Sequence, residues 1–129
     1  MKYLLDTGII VDHLRKRKLL DASWFEEGCG ISIITQAELF YGAEKSKDSA
    51  KEFEKIQNTL SVWGIEVFNL NKEIVGFYGK LKASLEKKGK RLDEFDLLIG
   101  ATAISENLIL VTGNSRHFKR IFGLSLVES

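Results

Sequence analysis

Short apolar runs alternate along the chain with longer stretches whose apolar residues recur at three-to-four spacing. Lys2 to Asp6 reads as a buried strand that ends on a carboxylate, and Ile9 to Leu14 as a helix. Ser23 to Glu27 reads as a second, short helix, stopped by Gly28-Cys29-Gly30. Ile31 to Ile34 predicts the second strand, and Thr35 opens a helix through Glu44. Asp48-Ser49 opens the next helix, with Phe53, Ile56, Leu60 and Trp63 on one face. Ile65 to Leu70 predicts a third strand. Asn71 then caps a long helix whose apolar face is Ile74, Phe77, Tyr78, Leu81 and Leu85, ended by Gly89. Asp93 to Asn107 is a further helix, Leu108 to Thr112 the fourth strand, Ser115 to Phe122 a short helix, and Leu124 to Val127 an edge strand.

The strands are unbroken apolar runs, not in-and-out alternations. Interleaved with helices, they predict a parallel sheet covered on both faces, a three-layer α/β/α sandwich of four to five strands. Right-handed crossovers then place the strand C-termini on one edge, where such folds carry their sites. The two amphipathic faces around Leu60 and Leu81 can pair as an αα-hairpin, or offer a groove to a partner.

A length of 129 residues predicts a single domain, 1–129. A hydrophobic fraction of 44% is ordinary for a globular chain, which argues against disorder. The 19 basic and 18 acidic residues nearly cancel, so a globally basic nucleic-acid coat is excluded and any electrostatic function needs local segregation of charge. The single cysteine, Cys29, fits a reducing, cytoplasmic setting. No apolar stretch reaches the roughly 18–20 residues of a membrane span, and Asp6 inside the first apolar run is unlike a signal peptide.

Four polar residues fall where the sheet edge is expected. Asp6 ends the first strand, Glu38 lies in the first turn after the second, Asp96 begins the helix from Asp93, and Asn114 follows the fourth strand. Gathered together, three carboxylates repel one another unless a cation neutralises them. Oxygen ligands suit Mg²⁺ or Mn²⁺, which can activate water toward a phosphodiester. Structural readings stand beside this one. Thr35-x-x-Glu38 is also a capping box, as are Ser23-x-x-Glu26 and Ser49-x-x-Glu52. Asp96 suits a helix N-terminus and Asn114 an N-cap. Asp6 is harder to explain this way, because a carboxylate after Tyr3-Leu4-Leu5 is costly unless paired, hydrogen-bonded or metal-bound.

Tyr3-Leu4-Leu5-Asp6-Thr7, Thr35-x-x-Glu38-Leu39-x-Tyr41-Gly42, Asp96-x-Leu98-Ile99-Gly100-Ala101-Thr102-Ala103 and Leu110-Val111-Thr112-x-Asn114-x-x-x-Phe118 occur in that order. Together they resemble a PIN-domain ribonuclease, and within that group VapC-type toxins of toxin–antitoxin pairs. The resemblance spans essentially the whole chain. It implies a parallel α/β/α fold and Mg²⁺- or Mn²⁺-dependent RNA cleavage, with Asp6 and Asp96 as the nearest metal ligands and Glu38 binding metal or positioning water. It also implies a cognate antitoxin and a toxin homodimer. Two positions depart from the family pattern. Gly8 stands where Asn or Ser is common, and Asn114 and His117 stand where a fourth acid is often found. Asn114 would then hold water through its amide oxygen. A weakly active or non-catalytic RNA- or protein-binding module of the same shape is the alternative.

The runs Arg15-Lys16-Arg17-Lys18 and Lys87, Lys88, Lys90, Arg91 are candidates for contacting an RNA backbone, although a solvated face is the favoured reading of each. Phe40 and Tyr41 read as packing residues, His13 as a surface residue, and Cys29 as a small packing residue without a base. No GxGxxG or Walker loop and no G-x-S-x-G elbow is present. An aspartate-nucleophile phosphatase would want a second acid at Gly8, and a receiver domain an Asp after the third strand, where Asn69-Leu70-Asn71 stands.

Overall fold

The computed structural model describes residues 2–129. In chain order the elements are β1 (Tyr3–Leu5), α1 (Thr7–Leu14), α2 (Ser23–Glu26), β2 (Cys29–Ser32), α3 (Ile33–Lys45) and α4 (Ser49–Val62). There follow β3 (Glu66–Phe68), α5 (Lys72–Lys87), α6 (Glu94–Ser105), β4 (Ile109–Thr112), α7 (Ser115–Phe118) and β5 (Leu126–Glu128). The five strands form one sheet in the order β3-β2-β1-β4-β5, and every pairing is parallel. The predicted three-layer α/β/α sandwich is therefore the observed architecture.

The pleat divides the core. Leu5, Ile31 and Val111 belong to one buried cluster with residues of α1, α3 and α4. Leu4 and Leu110 point the other way, into a second cluster with residues of α5, α6 and Phe118. The expected α4–α5 hairpin does not form. Ile56 and Leu60 of α4 lie on the first face, while Tyr78 and Leu81 of α5 lie on the second. An amphipathic stripe says that a helix has a buried side, but not which side of the sheet covers it.

The second strand is also shifted. β2 starts at Cys29 and ends at Ser32, and Ile33-Ile34 already belong to α3. A short apolar run does not distinguish a strand end from a buried helix start. Ser32 takes the cap, its hydroxyl accepting from Ile34 N at 3.0 Å. Gly30 fits inside β2 because a Cβ there would lie 2.7 Å from the Glu66 carbonyl oxygen. Three other expected caps are present: Asp48, Asn71 and Asp93 each accept from the first turn of the helix that follows. α5 stops at Gly89, whose φ of +65° favours glycine. α7 ends at Phe118, earlier than Phe122, and β5 begins two residues later than expected.

Candidate active site

Parallel register places Leu5 beside Val111, so Asp6 and Thr112 stand next to each other where β1 and β4 end. Asp6 is 9% exposed, and both its oxygens are used. Oδ1 accepts from Thr7 N at 2.8 Å and Oδ2 from the Thr112 hydroxyl at 2.7 Å. These bonds offset part of the cost of burial without neutralising the charge. Burial still pushes the Asp6 carboxyl above the ordinary carboxylate range, against the opposing pull of Thr112 and Thr7.

Glu38 does not serve in a capping box. The helix begins two residues before Thr35, and Thr35 is fully buried within its first turn. Glu38 Oε1 instead accepts from the Thr7 hydroxyl at 2.6 Å, which ties α3 to the start of α1. The similar patterns at Ser23 and Ser49 are not capping boxes either, because Ala22 and Asp48 occupy the N-cap positions.

Asp96 lies in the first turn of α6 and is half-buried, while the neighbouring Asp93 does the capping. Its carboxyl is pushed up to about 6, first by burial and then by the negative charges of Asp6, Asp93 and Glu38. Asp6, Glu38 and Asp96, from three separate stretches of chain, are thus close enough to feel one another. Among the described residues, the ion pairs are Lys2–Glu27, Arg17–Asp12 and Lys82–Glu94, and none of them reaches these acids. With no cation paired to them among the described residues, these like charges repel one another, a repulsion that a bound cation would relieve. Among the described residues, no three His, Cys, Asp or Glu side chains form a ready metal cage.

Asn114 precedes α7 but makes no side-chain cap. Its backbone N–H donates to the Thr112 hydroxyl at 2.9 Å, so it reaches Asp6 through one intervening oxygen. Its Nδ2 lies 2.9 Å from His117 Nδ1. With Nδ2 donating there, the amide oxygen remains available as an acceptor. Thr7 and Thr112 are the members of the site that sequence reasoning missed. Their signal was a hydroxyl residue directly after Asp6 and another closing the fourth strand.

A family model described as PIN domain matches residues 3–123. The chain belongs to the PIN-domain family. Within it, this PIN-domain chain groups with the VapC ribonucleases. "Ribonuclease VapC2" of Haemophilus influenzae is 39% identical over 127 residues, spanning 96% of this chain and 95% of that protein. "tRNA(fMet)-specific endonuclease VapC" of Shigella flexneri is 32% identical over 127 residues, again spanning 96% and 95%. The solved structure of VapBC2 from Rickettsia felis bound to a promoter DNA fragment matches with a TM-score of 0.88 and 35% identity, covering 100% of this chain and 99% of that one.

The remaining expectations divide. A groove of about 290 Å³ lies between α1, α3 and α4, lined by Glu38 together with Arg15, Gly42, Ser46, Glu52 and Lys55. Arg15 therefore adjoins the site, whereas Arg17 is paired with Asp12 at 2.8 Å. Lys87, Lys88, Lys90 and Arg91 are exposed around the end of α5. Phe40 packs on Phe53, but Tyr41 is 65% exposed, with Lys45 over its ring. His13 is half-buried, not a plain surface residue: its Nδ1 accepts from Leu20 N at 3.1 Å, and its ring meets Trp63 edge-on. Cys29 is buried as expected, with its thiol pushed up to about 12 by burial. No helix among the described residues is long and apolar enough to cross a membrane.

Proposed function

We propose that this PIN-domain chain is a divalent-metal-dependent endoribonuclease, the toxin of a toxin–antitoxin pair, acting through Asp6, Glu38, Asp96 and Asn114. The observation that carries the reading is the gathering of Asp6, Glu38 and Asp96 from three stretches of chain, with Thr7 bonded to two of them and no cationic side chain paired to any among the described residues. Burial and the like charges of Asp6, Asp93 and Glu38 push the Asp96 carboxyl up to about 6. Strongly perturbed carboxyls gathered in one cleft mark functional sites.

The donor set fits Mg²⁺ or Mn²⁺. All the donors are oxygens, and Mg²⁺ is commonly held by one or two carboxylates with waters and substrate phosphates completing its shell. A closed three-ligand cage is therefore not required. When bound, such an ion supplies an activated water and neutralises charge that develops on the scissile phosphate. The chain supplies the rest. Thr7 N–H and Thr112 fix the two oxygens of Asp6. Thr7 fixes Oε1 of Glu38. The Asn114 amide oxygen accepts from a water or a ribose hydroxyl. Arg15 and Lys55, on the groove that Glu38 also lines, receive the phosphates of the approaching strand.

The relatives' names support an RNA substrate, and transfer RNA is the first to try, as in the name of the Shigella flexneri relative. The VapBC complex from Rickettsia felis supports a cognate antitoxin as partner. A homodimer completes the reading. The test is cleavage of purified transfer RNA with Mn²⁺ or Mg²⁺, with and without chelator. Asp6→Asn, Glu38→Gln and Asp96→Asn each abolish cutting while the protein stays folded. Asp6→Asn protein, freed of contaminating nuclease, that cut at the parent's rate would refute the assignment.

One observation favours a second reading, a weakly active or non-catalytic binding module: the acids do not form a preassembled cage. Calorimetry with Mn²⁺ separates the two, since absence of binding at millimolar metal supports the module.

A further inference from the structure

Among the described residues, Thr7 is the one that hydrogen-bonds two of the site's carboxylates. Its backbone N–H donates to Asp6 Oδ1 at 2.8 Å, and its hydroxyl donates to Glu38 Oε1 at 2.6 Å. Asp6 comes from the end of β1 and Glu38 from α3, so their separation is set at Thr7, the first residue of α1. We propose that Thr7 is a positioning residue, which sets the spacing of Asp6 and Glu38 at which they capture a divalent cation.

The hydroxyl does not act alone. Thr35 Oγ1 lies 3.0 Å from Thr7 Oγ1, and Thr35 is fully buried. Thr7 has a single hydroxyl proton, and it is donated to Glu38. The second bond therefore takes its proton from Thr35, giving an ordered relay from Thr35 to Thr7 to Glu38. Hydroxyls linked in this way polarise one another, which strengthens the last bond and fixes its direction. The relay occupies Oε1 of Glu38 and leaves Oε2 without a protein hydrogen bond among those described. Thr35 recurs in the relay for a reason unrelated to capping: from inside the first turn of α3 it meets the first residue of α1. Removing a group that orients a ligand from behind typically costs about 10–100-fold in metal affinity or activity.

The inference rests on the nuclease reading above, and the experiment keeps the two apart. Mn²⁺ binding is followed by calorimetry, and kcat and KM for RNA cleavage are measured in parallel. The proteins are the parent, Thr7→Val, Thr7→Ser and Thr35→Val. Thr7→Val keeps the N–H that serves Asp6 and the branched shape, and loses only the hydroxyl. It is expected to weaken Mn²⁺ binding and lower kcat, each by about tenfold or more. KM for RNA should change by less than about threefold, because the substrate-binding walls are untouched. Thr7→Ser should restore both quantities to within about threefold of the parent. Thr35→Val, one bond further back, should be milder than Thr7→Val. Thr7→Ala replaces Thr7→Val if the valine protein does not fold. Parent-like Mn²⁺ affinity and kcat in the hydroxyl-free variant overturn the inference, as does a serine variant no better than valine. A parent that neither binds Mn²⁺ nor cuts RNA overturns this inference and the nuclease reading together. An active parent matched by Thr7→Val overturns this inference alone.

Discussion

The Thr112 hydroxyl donates to Asp6 Oδ2 at 2.7 Å, joining residues 106 positions apart in the sequence. The Thr112 hydroxyl oxygen in turn accepts the Asn114 backbone N–H. Thr112 is fully buried and Asp6 nearly so. Thr112→Val keeps the shape and removes the hydroxyl, leaving the buried Asp6 carboxylate one donor short. A buried group left unsatisfied costs about 1–3 kcal/mol. The urea midpoint is expected to fall accordingly at unchanged slope. An unchanged midpoint would mean that water replaces the hydroxyl.

Asp96 gives a dependence of stability on pH with a definite sign. Its carboxyl sits at about 6 in the folded chain, against an ordinary value of 3.8. Between those values the folded state holds a proton that the unfolded state has released. Stability from this group is therefore fully present below the ordinary value and is lost as pH climbs through about 6. Asp96→Asn does not titrate there. The variant should match the parent in acid and become progressively more stable than it toward neutrality. His13 works in the opposite sense: burial lowers its pKa, so its contribution is lost as pH falls below the ordinary imidazole range. Comparing parent with variant at each pH cancels that contribution. Thermal melts across pH 4–8 check the difference, and Mn²⁺ added at neutral pH should narrow it. A gap that is constant with pH would mean that Asp96 titrates normally.

The architecture was legible because the strands lie in apolar stretches bounded by polar or glycine signals, and α4, α5 and α6 are announced by their caps. Asp6, Glu38 and Asp96 were legible for a related reason: acids at strand ends and helix starts are few, and parallel topology gathers them at one edge. What the pattern did not carry was pairwise. Thr35 looks like a cap until Ser32 is seen to take that role. Thr7 looks like an ordinary first helical residue until Glu38 arrives beside it from α3. The face of the sheet on which α4 and α5 lie depends on crossovers between strands, about which an amphipathic stripe is silent. His13 looks exposed because its two partners, Leu20 N and Trp63, are brought to it by a loop and by a helix end.

Two glycines make opposite predictions. Gly30 lies within β2, where an added Cβ would sit 2.6 Å from Phe68 Cε2 and 2.7 Å from the Glu66 carbonyl oxygen. The phenyl ring can turn, but the carbonyl belongs to the neighbouring strand and cannot retreat without breaking the β2–β3 ladder. Gly30→Ala is expected to cost about 1–3 kcal/mol. Gly8 lies exposed in the first turn of α1, with nothing within 4 Å of an added Cβ. Gly8→Ala should stabilise the chain by about 0.5–1 kcal/mol, because alanine loses less backbone freedom on entering a helix. Parallel denaturant curves check both. A tolerated Gly30→Ala would mean that β3 is free to move at that edge.

Arg15 and Lys55 line the same groove as Glu38. Glu52 stands on its walls too, so the groove is mixed in charge and not uniformly basic. A nucleic acid strand entering it must be held by these two cations against the two acids. Each phosphate contact releases condensed counterions, which makes binding depend on salt with a slope of roughly −0.7 per contact for a single strand. Arg15→Ala and Lys55→Ala are each expected to weaken binding of RNA across sequences and to reduce that slope by about one contact's worth. Lys18→Ala, away from the groove walls, should leave the slope unchanged. Fluorescence titrations of labelled RNA at several salt concentrations, using a cleavage-defective Asp6→Asn background, measure the effect. Equal slopes for all three substitutions would place the strand elsewhere on the surface.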